Sequence, residues 1–168
     1  LKCSMSDIYF EYIPVNLTKT GTNFNGFHPS HKDNVIFKME STIFEGKNKF
    51  SKTLEIKGRK LVLEDFYDGV AKFNFEDLCN KNLGSEDYLM IANNCDFICI
   101  ENLPYFNENN SNQQQRFITL IDILYEKKIP LMITSRMNLK SINSSKSLAE
   151  PFKRTVSRLY ELTSINHN

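Results

Sequence analysis

The stretch RFITLIDILYEKKIPLMITS (residues 116–135) decides the fold class of this chain. Lys127 and Lys128 suit the negative end of a helix dipole, and Pro130 prevents a helix from continuing. The apolar run 131–134 then predicts a buried strand. Before it, apolar side chains recur at intervals of three and four residues and predict one stripe along an amphipathic helix: Phe117, Leu120, Ile121, Leu124 and Tyr125.

A second apolar run, residues 97–100, precedes this helix and also has the length of a strand. Strand, helix and strand over about forty residues predict a βαβ unit with parallel strands and a right-handed crossover. Ligands usually meet such units at the carboxyl ends of the strands, which places residues 101–104 and 135–136 there. The polar run NENNSNQQQ (residues 107–115) predicts a mobile surface loop before the helix.

The first half of the chain has the alternating pattern of β-strands after a breaker-rich loop that ends near residue 34. Val35, Phe37 and Met39 alternate with their neighbours and predict one strand. Apolar residues on both sides of the turn at 57–60 predict a tight hairpin. Residues 70–75 alternate again, which predicts a further strand with its two phenylalanines on one face.

Two more helices complete the predicted architecture. Ser85 is expected to cap a helix that runs through Asn94, with Glu86 and Asp87 at the positive end of its dipole. We therefore predict an α+β chain, with a β-rich region over residues 1–72 and an α/β region over residues 73–168. A last amphipathic helix closes the α/β region, and its apolar stripe consists of Phe152, Val156, Leu159 and Tyr160.

The composition excludes several classes of protein. Lys and Arg number 21 against 20 Asp and Glu, so the charge of +1 disfavours a general electrostatic binder of nucleic acid. Four irregularly spaced Cys fit a reducing compartment better than a disulfide scaffold. The apolar runs fall short of the roughly 20 residues of a transmembrane helix. The chain begins at Leu1 without a signal-like segment, so we expect a piece of a longer protein.

The usual catalytic motifs are missing from the sequence. Gly46-Lys47 is followed by Asn48, and no glycine-rich loop precedes a predicted helix, so a phosphate-binding loop is not predicted. The pairs His28/His31 and Cys95/Cys99 lack a second pair, and no metal site is assigned to them. Capping or a polar helix flank accounts for the carboxylates Glu86, Asp87 and Asp122. The chain alone is therefore not expected to be catalytic.

Arg154 and Arg158 are the candidate site residues. They lie one turn apart on the same side of the last predicted helix. Guanidinium groups in this arrangement can form bidentate hydrogen bonds with phosphate oxygens that are presented by another part of a larger protein. The alternative is a solvated or salt-bridged face, with Arg158 next to Glu161 or Lys153 next to nearby acids.

Four segments of this sequence resemble the C-terminal part of the AFG/ZapE-type P-loop ATPases, in the same order and spacing. These are AAA+-related proteins of mitochondria and of the bacterial division machinery. IKGRKLVL (residues 56–63) is similar to a Gly-Arg strand pair that precedes this block in the family. The four segments are FNFEDLC (73–79), LGSEDYL (83–89), residues 116–135 and FKRTVSRLYELTS (152–164).

The resemblance implies that this chain is a non-catalytic C-terminal region of an ATPase. The parent protein would use ATP and Mg through an upstream P-loop domain, form a homo-oligomer and act on client proteins in mitochondrial quality control or cell division. Arg154 or Arg158 would contact nucleotide or a neighbouring subunit. The compartment would be mitochondrial in a eukaryote and cytoplasmic in a bacterium. Two departures from the family are the polar run 107–115 and Asn102, where relatives tend to carry an acid.

Two rival hypotheses remain at this point. One is a protein-interaction module unrelated to ATP, which would bind partners through the β-rich half and the polar run. The other is a nucleic-acid binder that uses Lys57, Arg59 and Lys60 in the hairpin.

Overall fold

A computed structural model describes residues 27–29, 46–135, 137 and 139–163 of the chain. It contains one six-stranded sheet with the strand order β1-β6-β5-β4-β3-β2. The strands are β1 (Phe27–Pro29), β2 (Phe50–Ile56), β3 (Arg59–Tyr67), β4 (Val70–Asn74), β5 (Phe97–Leu103) and β6 (Leu131–Ser135). The helices are α1 (Phe75–Cys79), α2 (Ser85–Asn94), α3 (Ser111–Glu126) and α4 (Ala149–Leu162).

Two tight turns build the antiparallel half of the sheet. Lys57 and Gly58 both have positive φ values, 49° and 82°, and connect β2 to β3. Asp68 and Gly69 have φ values of 46° and 89° and connect β3 to β4. Two-residue turns of this handedness match the twist of the strands that they join. The predicted hairpin is therefore confirmed, and the Asp-Gly pair adds a second one.

The predicted βαβ unit with parallel strands is also confirmed, and the handedness of its crossover stays a prediction. β5 and β6 are parallel, with Ile98 opposite Leu131 and Ile100 opposite Ile133, and α3 connects them. β4 pairs with β5 in parallel as well. Antiparallel strands, a parallel unit and a closing helix together confirm the α+β class. The expected boundary between residues 72 and 73 falls inside β4, and the division into two regions stays a prediction.

The strand predicted at 70–75 ends one residue early, so the prediction that Phe73 and Phe75 share a strand face is wrong. Phe75 is the first residue of α1 and is fully buried. The cause is Asn74, whose side-chain oxygen accepts a hydrogen bond from the N–H of Glu76 at 3.2 Å. An Asn in this role caps a helix and stops the strand.

The polar run 107–115 is not a loop. It forms a short 3-10 turn, Glu108–Asn110, and the first part of α3. The Asn107 side chain accepts from the N–H of Asn109 at 2.8 Å, and Asn110 accepts from the N–H of Asn107 at the same distance. These side-chain caps fix the 3-10 turn that leads into α3, in a sequence that composition alone assigns to a loop.

Helix α2 begins differently from the prediction. Gly84 occupies the cap position, and Ser85 is the first helical residue. The cap contact comes from Asp87, whose carboxylate accepts the N–H of Gly84 at 2.8 Å. An acid three residues into a helix can reach back in this way.

All four helices contribute to a core on one face of the sheet. At its centre the ring of Phe106 lies 5.5 to 5.7 Å from the rings of Phe75, Phe117 and Phe152, a spacing that favours aromatic pairs.

None of the helices in the described ranges is long and apolar enough to span a membrane. The predicted strand near Val35, most of the loop before it and Arg136 lie outside the described residues.

Candidate functional site

Arg154 and Arg158 lie together on the face of α4 that packs against α3. Both guanidinium groups bind the carboxylate of Asp122, which lies on α3. Nη2 of Arg154 is 3.1 Å from Oδ2 of Asp122, and Nη1 of Arg158 donates to Oδ1. Residues four apart on a helix share one side, so a single acid can bind both arginines.

Two further side chains extend this arrangement. The guanidinium carbon of Arg158 lies 4.7 Å from the centre of the Tyr125 ring, within the range of a cation–π contact. The Tyr125 hydroxyl donates to Oε2 of Glu161 at 2.7 Å, and this hydrogen bond to a carboxylate raises the pKa of Tyr125. We call the five residues the arginine cluster: Asp122, Tyr125, Arg154, Arg158 and Glu161.

The two arginines differ in exposure. The side chain of Arg158 is 20% exposed and is held between Asp122 and Tyr125. The side chain of Arg154 is 59% exposed although it also binds Asp122. Because a guanidinium has five N–H donors, Arg154 retains donors that can reach a second anion.

The alternative interpretation of the sequence, a salt-bridged helix face, describes this surface correctly, but the partner of Arg158 is not the expected one. Arg158 binds Asp122, whereas Glu161 accepts the hydroxyl of Tyr125. Lys153 does pair with a nearby acid, Glu150, at 2.6 Å. Two arginines and two carboxylates balance within the cluster. An anion would therefore be bound by the open donors of Arg154 and not by an excess of positive charge.

The carboxyl ends of the parallel strands are tied to the backbone around them. Asn102 has a positive φ of 61°, and its N–H donates to Oγ1 of Thr134 at 3.0 Å. The Ser135 hydroxyl donates to the carbonyl of Leu103 at 3.2 Å and accepts from the N–H of Met137 at 3.3 Å. These contacts hold the carboxyl ends of β5 and β6 together.

The basic hairpin turn binds a helix of the same chain. Lys57 pairs with Glu86, and Arg59 pairs with Asp87, so the turn docks onto the first turn of α2. The acids that the sequence assigns to capping therefore have a second use. This internal pairing gives no support to the nucleic-acid hypothesis.

The described cysteines, Cys79, Cys95 and Cys99, are buried free thiols. Burial raises the pKa of Cys79 and of Cys95 to about 12, which makes both unreactive at neutral pH. Among the described residues no three His, Cys, Asp or Glu side chains are placed to hold a metal ion. The side chains of His28 and His31 lie outside the described part.

Comparison with known proteins identifies relatives. The model of the family described as AFG1-like ATPase matches residues 23–167. Lactation elevated protein 1 homolog B of Danio rerio is 35% identical over 82 residues, which are 49% of this chain and 16% of that protein. Cell division protein ZapE of Escherichia coli K12 is 28% identical over 119 residues, or 71% of this chain and 32% of that protein. The match thus covers under a third of either relative, and no solved structure matches the chain.

Proposed function

Because this chain belongs to the AFG1-like ATPase family, we propose that it is a C-terminal, non-catalytic region of an ATPase that works through a phosphate-binding loop elsewhere in the protein. The 168 residues contain no G-x-x-x-x-G-K-[S/T] motif. The matched stretch is also a small part of each relative's length, which leaves room for such a loop.

ATP and Mg are proposed for the parent protein, and the residues of this chain do not fit them as a cradle. Binding Mg·ATP calls for backbone N–H groups that close on the phosphates and for oxygen ligands on the metal. No such carboxylate set is found among the described residues, and the carboxylate of Asp122 is bound by two arginines. We therefore assign no step of hydrolysis to this chain.

The proposed contribution of this chain is a contact made by Arg154. The observation that carries it is the contrast within the arginine cluster, where Arg154 is anchored by Asp122 and still 59% exposed. Anchoring limits the number of rotamers that must be frozen when a second anion binds. The second anion is a nucleotide phosphate or a carboxylate of a neighbouring subunit of a homo-oligomer. Arg158 holds α3 and α4 in register.

The biological role of the parent is also a proposal. One relative is named a cell division protein, and the relatives come from both a vertebrate and a bacterium. We propose that the parent uses ATP hydrolysis to act on client proteins, in mitochondrial quality control or in cell division. The corresponding compartments are the mitochondrion in a eukaryote and the cytoplasm in a bacterium. Family membership favours this function over an interaction module unrelated to ATP.

Steady-state ATP hydrolysis tests the proposal. In the longer protein, Arg154→Ala is expected to lower turnover at least tenfold, with the unfolding midpoint unchanged within error. Lys153→Ala is the matched control, because Lys153 is a neighbouring exposed cation whose partner is Glu150. It should leave turnover unchanged.

The chain of residues 1–168 is expected to show no turnover with Mg·ATP. Turnover by this chain alone that Arg154→Ala abolishes would overturn the non-catalytic assignment. Equal turnover of wild type and Arg154→Ala in the longer protein would remove the arginine from the mechanism.

A further inference from the structure

Gln114 is a fully buried polar side chain in the first turn of α3. Its amide nitrogen donates to the Ser144 hydroxyl at 2.6 Å, and its amide oxygen accepts from the N–H of Ser145 at 3.0 Å. Ser145 is buried as well. A buried amide is costly unless its donor and its acceptor are both satisfied. These two hydrogen bonds therefore fix where residues 144–145 lie against α3.

Hydrogen bonds continue from this point to the start of α4. The Ser144 hydroxyl, which accepts from Gln114, donates to the carbonyl of Ser145 at 2.8 Å. The same carbonyl accepts from the N–H of Leu148 at 3.2 Å, within the 3-10 turn Lys146–Leu148. Ala149, the next residue, begins α4. The position of the first turn of α4 therefore follows from the position of Gln114.

The contact between Asp122 and the two arginines depends on the position of α4 along α3. Asp122 lies eight residues after Gln114, or about 12 Å further along the helix axis. Nη2 of Arg154 is 3.1 Å from Oδ2 of Asp122, and Arg158 binds the other oxygen. A slip of α4 by one residue is about 1.5 Å and would stretch the Arg154 contact beyond hydrogen-bond length. Asp122 can thus bind both arginines in one register only.

The other contacts between the two helices are poorly suited to set this register. The Arg154 pair is largely exposed, and exposed ion pairs contribute little. Phe152 and Leu159 pack into the core, but the burial of apolar area has no preferred direction. Hydrogen bonds are directional, and those of Gln114 are shielded from water.

We propose that Gln114 is a positioning residue that sets the register of α4 on α3 and thereby orients the open donors of Arg154. Gln114 acts through Arg154 and has no contact with the anion. The consequence for ATP turnover rests on the proposed function of Arg154, whereas the register itself can be measured in the 168-residue chain.

Side-chain NMR of the 168-residue chain tests the register. Gln114→Met keeps the approximate length of the side chain and removes both hydrogen bonds. The Nε–Hε signal of Arg154 should then move at least halfway to its position in Asp122→Asn, which lacks the shared carboxylate. The signal of Arg116 is an internal reference and should not move, because its guanidinium donates to the carbonyl of Cys79 at 3.1 Å, at the end of α1.

The matched control is Gln113→Met, which makes the same change one residue earlier. The Gln113 amide donates to the Asn80 side chain at 2.7 Å, so this variant should leave the Arg154 signal in place. An unmoved Arg154 signal in Gln114→Met would overturn the proposal. An equal movement of the Arg116 signal would also overturn it, because it would indicate a general loosening of the fold.

Ser144→Ala decides the case in which Gln114→Met does not fold. This variant removes the contact of Gln114 with the hydroxyl and keeps the contact with the N–H of Ser145. A movement of the Arg154 signal in the direction of Asp122→Asn is expected, and a signal that stays at its wild-type position would overturn the proposal.

Steady-state ATP hydrolysis by the longer protein tests the consequence for function. Gln114→Met is expected to lower kcat at least threefold. The double variant Gln114→Met/Arg154→Ala should have the same kcat as Arg154→Ala alone, because Gln114 acts through Arg154. Losses that multiply in the double variant would overturn the positioning role. Unchanged turnover in Arg154→Ala would instead overturn the proposed function, and the NMR signals would still decide the register.

Discussion

Two junctions in this molecule join separate elements through ion pairs, and they are built in different ways. At the hairpin junction, Arg59 of β3 binds Asp87 of α2, and the Asp87 side chain is only 1% exposed. In the arginine cluster, Asp122 is 27% exposed and is shared by Arg154 and Arg158. The first junction thus depends on one buried acid with one arginine, whereas in the second two arginines share one partly exposed acid.

The difference in burial separates a structural role from a role that is open to a ligand. A buried carboxylate must be paired and hydrogen-bonded, and Asp87 has both Arg59 and the N–H of Gly84. Its contacts are used up in holding the hairpin against α2. Arg59 is 50% exposed as well, but it is the arginine that neutralises the buried Asp87, whereas Arg154 is 59% exposed and shares Asp122 with Arg158. A functional contact is therefore expected at the second junction.

The largest expected effect is a loss of stability at alkaline pH from two thiols and a phenol that are buried in the core. Burial raises the pKa of the thiols of Cys79 and Cys95 from 9.0 to about 12 and raises the pKa of Tyr88 as well. The unfolded chain therefore releases these protons at lower pH than the folded chain. This stability is fully present below pH 9 and is lost as the pH rises towards 12.

Each thiol contributes a slope of about 1.4 kcal/mol per pH unit within that window. Urea unfolding at pH 8, 9, 10 and 11 measures how steeply the free energy of unfolding falls with pH. Cys95→Ala should reduce this slope by the contribution of one thiol. A free energy of unfolding that stays constant from pH 9 to 11 would contradict the buried-thiol assignment.

The second prediction concerns Asp87 itself. Asp87→Ala should lower the free energy of unfolding by about 2 to 3 kcal/mol, because it removes the cap contact to Gly84 and the partner of Arg59. Glu86→Ala is the matched control on the same helical turn. Its partner Lys57 is 76% exposed, and an exposed pair contributes less than about 1 kcal/mol. Similar losses for the two variants would show that burial does not distinguish them.

Local patterns were sufficient to predict most of the fold. The stripe of α3, the apolar run of β6 and the hairpin turn follow from periodicity and turn chemistry in contiguous residues. The start of α3 did not follow, because its polar residues are fixed by tertiary contacts. Gln114 is fully buried, and its amide donates to the Ser144 hydroxyl at 2.6 Å and accepts from the N–H of Ser145 at 3.0 Å. Composition alone gives no sign of partners thirty residues away.

Only part of the candidate site could be predicted, because sequence patterns report local spacing and not distant partners. The spacing of Arg154 and Arg158 places them on one side of a helix, which is local information. Their shared acid, Asp122, lies more than thirty residues earlier and meets them only because α3 and α4 pack together. A charged residue on the flank of an amphipathic helix is ordinarily solvated, so the sequence offers no signal that this one is shared.

The smallest expected effect separates the two arginines that share Asp122. Arg158→Ala should lower the free energy of unfolding by about 1 to 1.5 kcal/mol, since it removes a largely buried pair and the contact with the Tyr125 ring. Arg154→Ala should lower it by less than about 0.5 kcal/mol, because its pair is largely exposed and Arg158 still neutralises Asp122. Denaturant unfolding of both variants and of the double variant measures the coupling. A larger loss for Arg154→Ala than for Arg158→Ala would show that Arg154 is a structural anchor, and its open donors would no longer mark a binding contact.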